Sequence, residues 1–315
     1  MKKYIVTGGT GFIGSNIVDH ISKDPKNKVL ILDNNFRGNI KKIKKKRKNI
    51  FFKKVDIRNR LKIFKLLKGY HAVIHLAYIN GTENFYKMPC EILDVAIHGL
   101  MNVVDGCKYN KIKELYLASS SEVYNIPDKV PTSEDDAILK IPDLYNPRYT
   151  YGGGKILTEL VGINYGKKYF KKLIIFRPHN VYGPDMGNEH VIPQFINRLK
   201  NKIQKKTLNF PIQGTGKEIR SFIYIDDFVR AFDCLLKKGK HNNIYNIGTT
   251  KKINMKDLAI LISKIMNKKI IFSHKKLLTG STHIRCPNIN KIKKIGFKPL
   301  TSLKKGLNKT IDWYV

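Results

Sequence analysis

The stretch Thr7-Gly8-Gly9-Thr10-Gly11-Phe12-Ile13-Gly14 directly follows the apolar run Tyr4-Ile5-Val6. The run predicts a buried strand, and the apolar spacing over residues 11–22 predicts a helix. In a glycine-rich turn between a strand and a helix, backbone amides point at an anion and the helix dipole favours negative charge. Because glycine lacks a Cβ, a pyrophosphate can approach closely. We therefore predict a dinucleotide site with contacts from Gly8, Gly11, Phe12 and Ile13.

Two acidic residues extend this predicted site. Asp33 ends the second apolar run, at the position where a carboxylate accepts hydrogen bonds from ribose hydroxyls and repels a 2′-phosphate. This favours NAD over NADP, although Arg37 is an arginine close enough in sequence to bind that phosphate. Asp56, which ends the third run, is expected near the adenine edge. The neighbours Asn34 and Ile57 belong to the same predicted set.

Apolar runs alternate with helical patterns through residues 1–178. Unbroken apolar strands between helices are typical of a parallel sheet covered on both faces. We predict an α/β protein in which residues 1–178 form a Rossmann doubly wound parallel sheet that carries the catalytic residues. Residues 179–315 are expected to form a smaller C-terminal α/β substrate-binding domain, intertwined with the first at the boundaries. Predicted strands are 4–6, 29–32, 51–55, 72–77, 115–118, 173–176, 222–225, 244–247 and 269–272, and predicted loops include 179–190 and 207–220.

Tyr151 and Lys155 are four residues apart in a predicted helix that follows the run Ser119-Ser120-Ser121. Residues i and i+4 share one helix face. An ammonium beside a phenol favours the phenolate, so the tyrosine can act as a base near neutral pH. Because this spacing also arises by chance in many helices, the pair taken alone favours an ordinary surface contact.

The net charge of +36 comes from 60 basic and 24 acidic residues among 315. The excess is mostly lysine spread along the whole chain, which favours solvated faces over a nucleic-acid site. The lysine-rich run 41–48 is predicted to be an exposed helix or loop, with an anion-attracting rim as the alternative. We expect no nucleic-acid partner.

The four cysteines, Cys90, Cys107, Cys234 and Cys286, form no C-x-x-C pair, so we expect neither a metal site nor a redox dithiol. No apolar run approaches the roughly 18 residues of a membrane helix. The N-terminal apolar run is too short for a signal peptide. A cytoplasmic protein without membrane contact is predicted.

With these motifs in order, the chain resembles the extended short-chain dehydrogenase/reductase family, specifically its NAD-dependent nucleotide-sugar epimerases and dehydratases. The resemblance spans nearly the whole chain. It rests on residues 7–14, Asp33, Asp56, His75-Leu76-Ala77, 119–124, Tyr151 with Lys155, 177–184, 214–227 and 246–248.

The resemblance implies roles for the matching positions. Tyr151 would remove a sugar hydroxyl proton, while Lys155 binds the nicotinamide ribose and lowers the pKa of the tyrosine. Ser120 would hydrogen-bond the same hydroxyl, with Ser119 and Ser121 as alternatives of register. Hydride would pass from the sugar carbon, usually C4, to the nicotinamide. Leu76 and Ala77 join the implied cofactor set.

The implied partner is a nucleotide-diphosphate sugar. Asn180 would lie near its diphosphate, and Ser121 is placed in the substrate set. Arg220 and Arg285 resemble phosphate clamps, because the arginine fork binds phosphate bidentately. The alternative for Arg285 is a surface arginine.

Two departures from the family pattern stand out. The family usually has Asn where this chain has Ala96, so one cofactor-side hydrogen bond is in doubt. Gly152-Gly153-Gly154 fill the helical turn between Tyr151 and Lys155, although each mid-helix glycine costs about 1 kcal/mol against alanine. Since related proteins dimerise through this helix, we expect the glycines to pack in a homodimer built by helices near 91–107 and 151–168.

The choice of reaction depends on Glu122 and His190. A 4-ketone acidifies the C3 and C5 protons, so a nearby carboxylate or imidazole could remove them. Glu122 matches a functional Glu of dehydratases and decarboxylases, but Ser121 replaces the Asp of glucose-type dehydratases. His190 resembles the acid of GDP-fucose synthases, and a solvent-facing histidine is its alternative. We interpret the chain as a UDP-glucose 4-epimerase-like enzyme. The alternatives are a dehydratase or decarboxylase using Glu122, and a non-catalytic NAD-binding regulator.

Overall fold

A seven-stranded parallel sheet forms the centre of the computed structural model, which describes residues 2–43, 47–136, 138, 141, 143–200, 207–275 and 282–315. Numbered in chain order, its strands lie in the order β11-β6-β5-β4-β1-β2-β3. This is the doubly wound arrangement, whose order reverses beside β1. The strands are β1 Lys3–Thr7, β2 Lys28–Asp33, β3 Ile50–Lys54, β4 Ala72–His75, β5 Glu114–Ala118, β6 Lys172–Pro178 and β11 Asn243–Ile247.

Helices cover both faces of this sheet because its side chains are apolar on both sides. Val6 lies in one buried cluster with residues of α1 and α8, whereas its neighbour Ile5 lies in a second cluster with residues of α2, α5 and α6. The helices are α1 Phe12–Ile21, α2 Arg60–Leu67, α3 Thr82–Lys87, α4 Pro89–Asp94, α5 Leu100–Tyr109, α6 Arg148–Tyr169 and α8 Ile225–Lys238. A π-helical turn, Val95–Gly99, joins α4 to α5.

The remaining strands form three small sheets beside the carboxyl ends of the large one. β7 pairs with β10, β8 pairs with β13, and β9 lies between β12 and β14. Their bounds are β7 Val181–Tyr182, β8 Thr207–Gln213, β9 Ile219–Ser221, β10 Ile223–Tyr224, β12 Lys252–Asn254, β13 Lys269–Lys275 and β14 Ile284–Arg285. The accompanying helices are α7 Val191–Lys200, α9 Met255–Ile265, α10 Asn290–Lys293 and α11 Leu303–Tyr314.

The predicted fold class is confirmed, and each strand predicted before residue 178 is present. The assignment of 244–247 to the smaller unit is wrong, because β11 pairs with β6 and completes the large sheet. Its pairing partner lies far away in sequence, so local spacing could not reveal this place. The division at residue 178 stays a prediction, although α8 and β11, which both follow this residue in sequence, pack with the large sheet.

Two local predictions were also wrong. The predicted loop 207–220 contains β8 and the start of β9, and the predicted strand 222–225 ends at Tyr224, where α8 takes over. Because Asn209 and Pro211 interrupt the apolar pattern of β8, the sequence did not indicate this strand. In the lysine-rich run, Ile40–Lys42 form a 3₁₀ turn, and residues 44–46 lie outside the described residues. Within the described ranges, every helix is too short or too polar to cross a membrane.

Candidate active site

A cavity of about 1070 Å³ runs along the carboxyl ends of the large sheet. This edge is where open α/β sheets bind their ligands. The glycine turn forms one end of the cavity, and residues after β6 face it from the other side. The lining includes the entire predicted set: Gly8, Gly11, Phe12, Ile13, Asp33, Asn34, Asp56, Ile57, Leu76, Ala77, Ser120, Ser121, Glu122, Tyr151, Lys155, Asn180, His190, Arg220 and Arg285.

The glycine turn is shaped to leave room for a phosphate. Gly8 has φ +70°, and a Cβ there would lie 2.6 Å from the Ala77 nitrogen. A Cβ on Gly14 would collide with the Gly8 carbonyl oxygen, so these two glycines let the helix pack against the turn. Gly11 caps α1 without a capping side chain, which leaves the first amides of the helix for a ligand. The turn therefore fits a pyrophosphate.

The acidic residues of the cofactor end are oriented by their own neighbours. Asp33 accepts hydrogen bonds from the backbone nitrogens of Thr10, at 3.0 Å, and Asn35, at 2.8 Å. Hydrogen bonds from Arg58 lower the pKa of Asp56 to about 2. Arg37 forms an ion pair with Glu189 on the opposite wall, so its charge is already balanced. This arrangement agrees with a preference for NAD.

Tyr151, Lys155 and Ser120 meet as expected. The Tyr151 hydroxyl is hydrogen-bonded to the Ser120 side chain. Lys155 Nζ donates to the Ala118 carbonyl oxygen, at 2.8 Å, where β5 ends. Because both members of the pair are buried, with 5% and 4% of their surface exposed, the alternative of a chance surface pair is wrong.

The expected lowering of the tyrosine pKa is not found in the protein alone. Burial raises the pKa of Tyr151 to about 12 and outweighs the hydrogen bond from Ser120. Burial also lowers the pKa of Lys155 to about 7. The Lys155 Nζ lies 5.8 Å from the centre of the Tyr151 ring and is engaged by Ala118. A cationic nicotinamide beside the phenol, where the family has it, would favour the phenolate.

Glu122 and Arg285 form a bidentate ion pair with oxygen–nitrogen distances of 2.7 and 3.0 Å. Burial raises the pKa of Glu122, but the charge and hydrogen bonds of Arg285 prevail, so this pKa lies below its usual value. Arg285 is 6% exposed, which excludes the alternative of a surface arginine. Arg220 and Arg148 lie nearby; the guanidinium of Arg148 is 4.0 Å from Glu122, and the sequence did not single it out.

Behind the serines lies a buried polar network. Ser119 donates to Glu159 at 2.5 Å, and Arg177 binds both oxygens of Glu159 at 2.7 Å. Arg177 also donates to the Tyr124 hydroxyl, which donates to Asn246 on β11. The network thus ties α6 to three strands of the large sheet and fixes the end of β5 from which Ser120 projects.

Asn180 and His190 are two further predicted site residues that line the cavity. Asn180, with φ +40°, donates to the Ser221 carbonyl oxygen at 2.9 Å. Burial, with the charge of Arg37, lowers the pKa of His190 to about 4. The imidazole is therefore neutral near pH 7 and is not poised as an imidazolium acid. The roles of both residues stay predictions.

The three consecutive glycines of α6, Gly152-Gly153-Gly154, do not share one explanation. A Cβ on Gly154 would collide with the Tyr78 hydroxyl and lie 2.8 Å from the Ala96 Cβ, so this glycine packs within its own chain. A Cβ on Gly153 would meet nothing within 4 Å. The expectation that all three glycines face a partner is therefore wrong for Gly154. Tyr78 itself lines the cavity and was missed, since its ring carries no motif.

Comparison with known proteins places this site in context. The chain is 31% identical to the dTDP-D-glucose 4,6-dehydratase of Dictyostelium discoideum, over 100% of this chain and 82% of that protein. It is also 31% identical to a provisionally named UDP-glucose 4-epimerase of Methanocaldococcus jannaschii, over 98% and 97% of the two chains. It spans about half, 47%, of the trifunctional enzymes of Arabidopsis thaliana that it matches.

A solved structure shows the same architecture. The UDP-N-acetylglucosamine 4-epimerase of Methanobrevibacter ruminantium M1, in complex with UDP-N-acetylmuramic acid, superposes with a TM-score of 0.89 at 27% identity. The match covers 99% of this chain and 98% of that one. The profile of the NAD dependent epimerase/dehydratase family matches residues 4–248, which include the glycine turn, Tyr151 and Lys155. The chain belongs to this family of NAD-dependent enzymes.

Proposed function

We propose that the protein is a nucleotide-sugar 4-epimerase that acts on a UDP-hexose through a transient 4-keto sugar. The relatives from Methanocaldococcus jannaschii and Methanobrevibacter ruminantium M1 carry epimerase names and cover nearly the whole chain. All the relatives described above are named as enzymes, which gives the regulator alternative no support. Because the relative from Dictyostelium discoideum is named as a dehydratase, dehydration is the second candidate reaction.

The bidentate pair of Glu122 with Arg285 carries the choice of reaction. Dehydration requires a group that removes a proton beside the ketone, and a carboxylate with a lowered pKa is a weak base for this. Glu122 is engaged on both oxygens by Arg285, and Ser121 stands where glucose-type dehydratases have Asp. A 4-epimerase needs no base besides the tyrosine, so this site favours epimerisation.

The residues of the cavity then have defined tasks. NAD, held by the glycine turn and Asp33, supplies the hydride acceptor when bound. Tyr151 removes the proton from the C4 hydroxyl, and Ser120 hydrogen-bonds that oxygen. The same tyrosine returns the proton after the ketone has turned over. Lys155 binds the nicotinamide ribose, while Asn180 and Arg220 bind the diphosphate, with Arg148 as an addition from the structure. Arg285, which the sequence placed in the same set, holds Glu122 instead.

Turnover in deuterated water tests this proposal. The purified enzyme is incubated with UDP-glucose, UDP-galactose, their N-acetyl forms and UDP-glucuronic acid, and NMR identifies the products. A 4-epimerase returns the transferred hydride to C4, so we expect the 4-epimer without deuterium at C3, C5 or C6. A 4-keto-6-deoxy product, loss of CO₂ from a uronic acid, or deuterium at C5 would assign the chain to another reaction.

The variant Glu122→Gln tests the role of the carboxylate directly. The amide keeps the shape but cannot act as a base, so epimerisation should continue with kcat lowered by no more than about tenfold. Glu114→Gln, at the opposite end of β5, serves as the matched control. If Glu122→Gln oxidises the sugar but forms no product, Glu122 acts at C3 or C5 and the epimerase proposal is wrong.

We also propose a homodimer through α4–α5 and α6. Leu93, in α4, is 43% exposed and Ile97, in the π-helical turn that follows, is 42% exposed, while Leu160 on α6 is 54% exposed. The open space beside Gly153 lies on the same outer face as Leu160, two helical turns away. Sedimentation should show a dimer, and Ile97→Lys with Leu160→Lys should yield a monomer; a monomeric wild type would contradict the proposal.

A cytoplasmic location is the accompanying proposal. All four cysteines are free thiols in the structure. Reduced thiols are the usual state in that compartment. Fractionation of cells that express the chain would test it, and recovery of the chain outside the cytoplasm would contradict it.

A further inference from the structure

Tyr78 lies directly against the proposed catalytic lysine. It follows β4 on the loop that ends in α3 and lines the cavity. The Nζ atom of Lys155 lies 3.7 Å from the centre of the Tyr78 ring, within the range of a cation–π contact. The same nitrogen donates to the Ala118 carbonyl oxygen. The amine is therefore held between a carbonyl and the face of an aromatic ring.

The ring of Tyr151 is fixed by the same segment of chain. Tyr78 contacts it edge to face, with ring centres 5.2 Å apart and an angle of 85°. Phe85, in α3, stacks on it with centres 4.8 Å apart and an angle of 26°. Both are favourable aromatic geometries. Tyr78 and Phe85 thus contact the Tyr151 ring on two sides, and Tyr78 also contacts Lys155 on one side.

The space for Tyr78 exists because two nearby residues are small. Its hydroxyl occupies the volume that a Cβ on Gly154 would need, and Ala96 borders the same volume. Gly154 and Ala96 are therefore explained together by one large neighbour. Among the described residues, the buried Tyr78 hydroxyl has no hydrogen-bond partner, so the ring makes the contacts that matter.

We propose that Tyr78 is a positioning residue that holds Lys155 and Tyr151 in their working arrangement through its ring. The proposal rests on the proposed roles of Lys155 and Tyr151. The ring contributes no proton and touches neither reacting atom. Its effect is to keep the ammonium near the phenol, and in the part of the chain that the structure describes the Ala118 carbonyl oxygen would remain as the hydrogen-bond acceptor of Lys155.

Three variants separate the ring from the hydroxyl. Tyr78→Phe keeps the ring and should retain kcat within about twofold. Tyr78→Leu removes the ring and should lower kcat at least tenfold with an unchanged KM for the nucleotide sugar. Tyr109→Leu, on an exposed tyrosine at the end of α5, is the control for loss of a tyrosine as such. Wild-type kcat in Tyr78→Leu, or equal losses in the Phe and Leu variants, would overturn the proposal.

The pH profile gives a readout that loss of packing alone would not move. The charged and titratable groups that face Tyr151 are Glu122, Arg37, Arg285 and Tyr78, and Glu159 and His75 face Lys155. All of these remain in Tyr78→Leu except Tyr78 itself. The Tyr78 ring covers the Lys155 amine, whose pKa burial lowers to about 7, so Tyr78→Leu should let that pKa rise and move the limb of kcat/KM that Lys155 controls to higher pH, whereas Tyr78→Phe should leave the limb in place. An unmoved limb in a weakened variant would also count against the proposal.

A thermodynamic cycle tests the contact without any substrate. Urea unfolding of wild type, Tyr78→Leu, Lys155→Met and the double variant gives the coupling free energy between the two side chains. We expect a non-zero favourable coupling that persists when Tyr78 is Phe, and additive effects would overturn the proposal.

If Tyr78→Leu does not fold, Gly154→Ala displaces the hydroxyl of Tyr78 instead. We expect this variant to have a lower kcat that Tyr78→Phe partly restores, and no restoration would contradict the proposal. Absence of wild-type turnover would weigh against the proposed function and leave the outcome of this cycle unchanged.

Discussion

At the scale of single residues, burial decides the electrostatics of the site. Tyr151 and Lys155 are both removed from water, and each shifts toward its neutral form. The proposal that Tyr151 is the base therefore depends on a positive charge brought by the bound cofactor. Glu122 behaves in the opposite way, because Arg285 binds both of its oxygens and outweighs the effect of burial.

The variant Tyr151→Phe tests the phenol as a base. Only the hydroxyl is lost, and the ring contacts to Tyr78 and Phe85 remain. General-base catalysis contributes about 10²–10⁴-fold, so kcat should fall by that factor while the urea midpoint hardly changes. NMR of the 4-epimer formed over time gives kcat. A variant with wild-type turnover would remove Tyr151 from the mechanism.

The variant Lys155→Met tests the burial of the amine. The pKa of Lys155 is about 7 in the fold against 10.5 for an exposed lysine. Between these values the unfolded chain binds a proton that the folded chain does not, so wild-type stability rises with pH from about 7 to about 10.5. Lys155→Met should be inactive yet more stable at pH 7, by about 1–4 kcal/mol, with the advantage shrinking toward pH 10. Urea unfolding at several pH values measures this, and a constant difference would contradict the lowered pKa.

At the scale of elements, the ends of β5, β6 and β11 are joined to α6 by one ion pair. Arg177 and Glu159 are each 2% exposed and satisfy one another. Such a pair need not be strongly stabilising, because the loss of solvation offsets much of the attraction. Its consequence is geometric, since Ser119 donates to the same carboxylate and Ser120 follows it.

Removing one partner of that pair should be worse than removing both. Arg177→Met leaves a buried carboxylate without its partner and should lower the free energy of unfolding by about 3–5 kcal/mol. The double variant Arg177→Met with Glu159→Leu should recover part of this loss. Equal destabilisation of the single and double variants, measured by urea unfolding, would show that the unpaired carboxylate of Glu159 is not the cause of the loss in Arg177→Met.

At the scale of the whole molecule, the charge of +36 is the dominant property. Acidic residues are largely engaged with basic neighbours, as in Lys42 with Asp185 and Arg47 with Asp19. The uncompensated lysines repel one another and destabilise the compact state. Salt screens this repulsion over about 10 Å at 0.1 M.

The melting temperature should therefore rise with ionic strength. Raising NaCl from about 0.02 to 0.3 M shortens the Debye length severalfold, and an increase of a few degrees is expected. Scanning calorimetry with NaCl and with sodium gluconate separates screening from specific anion binding. A falling melting temperature in both salts would show that attractive pairs outweigh the repulsion.

The sequence by itself determined the strands of the large sheet before residue 178 and a set of candidate residues that all line the cavity. Apolar runs, helical spacing and the glycine turn are local properties, and the carboxyl ends of parallel strands meet at one edge whatever lies between them. Gly8, Asp33, Ser120 and Tyr151 could therefore be named in advance, and all of them line the cavity.

Only the tertiary structure decided which of these side chains bind one another. Glu122 and Arg285 are 163 residues apart, and their pairing follows from β14 lying beside β9 rather than from any motif. Tyr78 had no sequence signal because its importance comes from the space left by Gly154 and Ala96. Likewise β11 joined the large sheet because β6 offered an edge for its backbone hydrogen bonds. Such long-range pairs form only in the folded chain, because folding brings together residues that are distant in sequence.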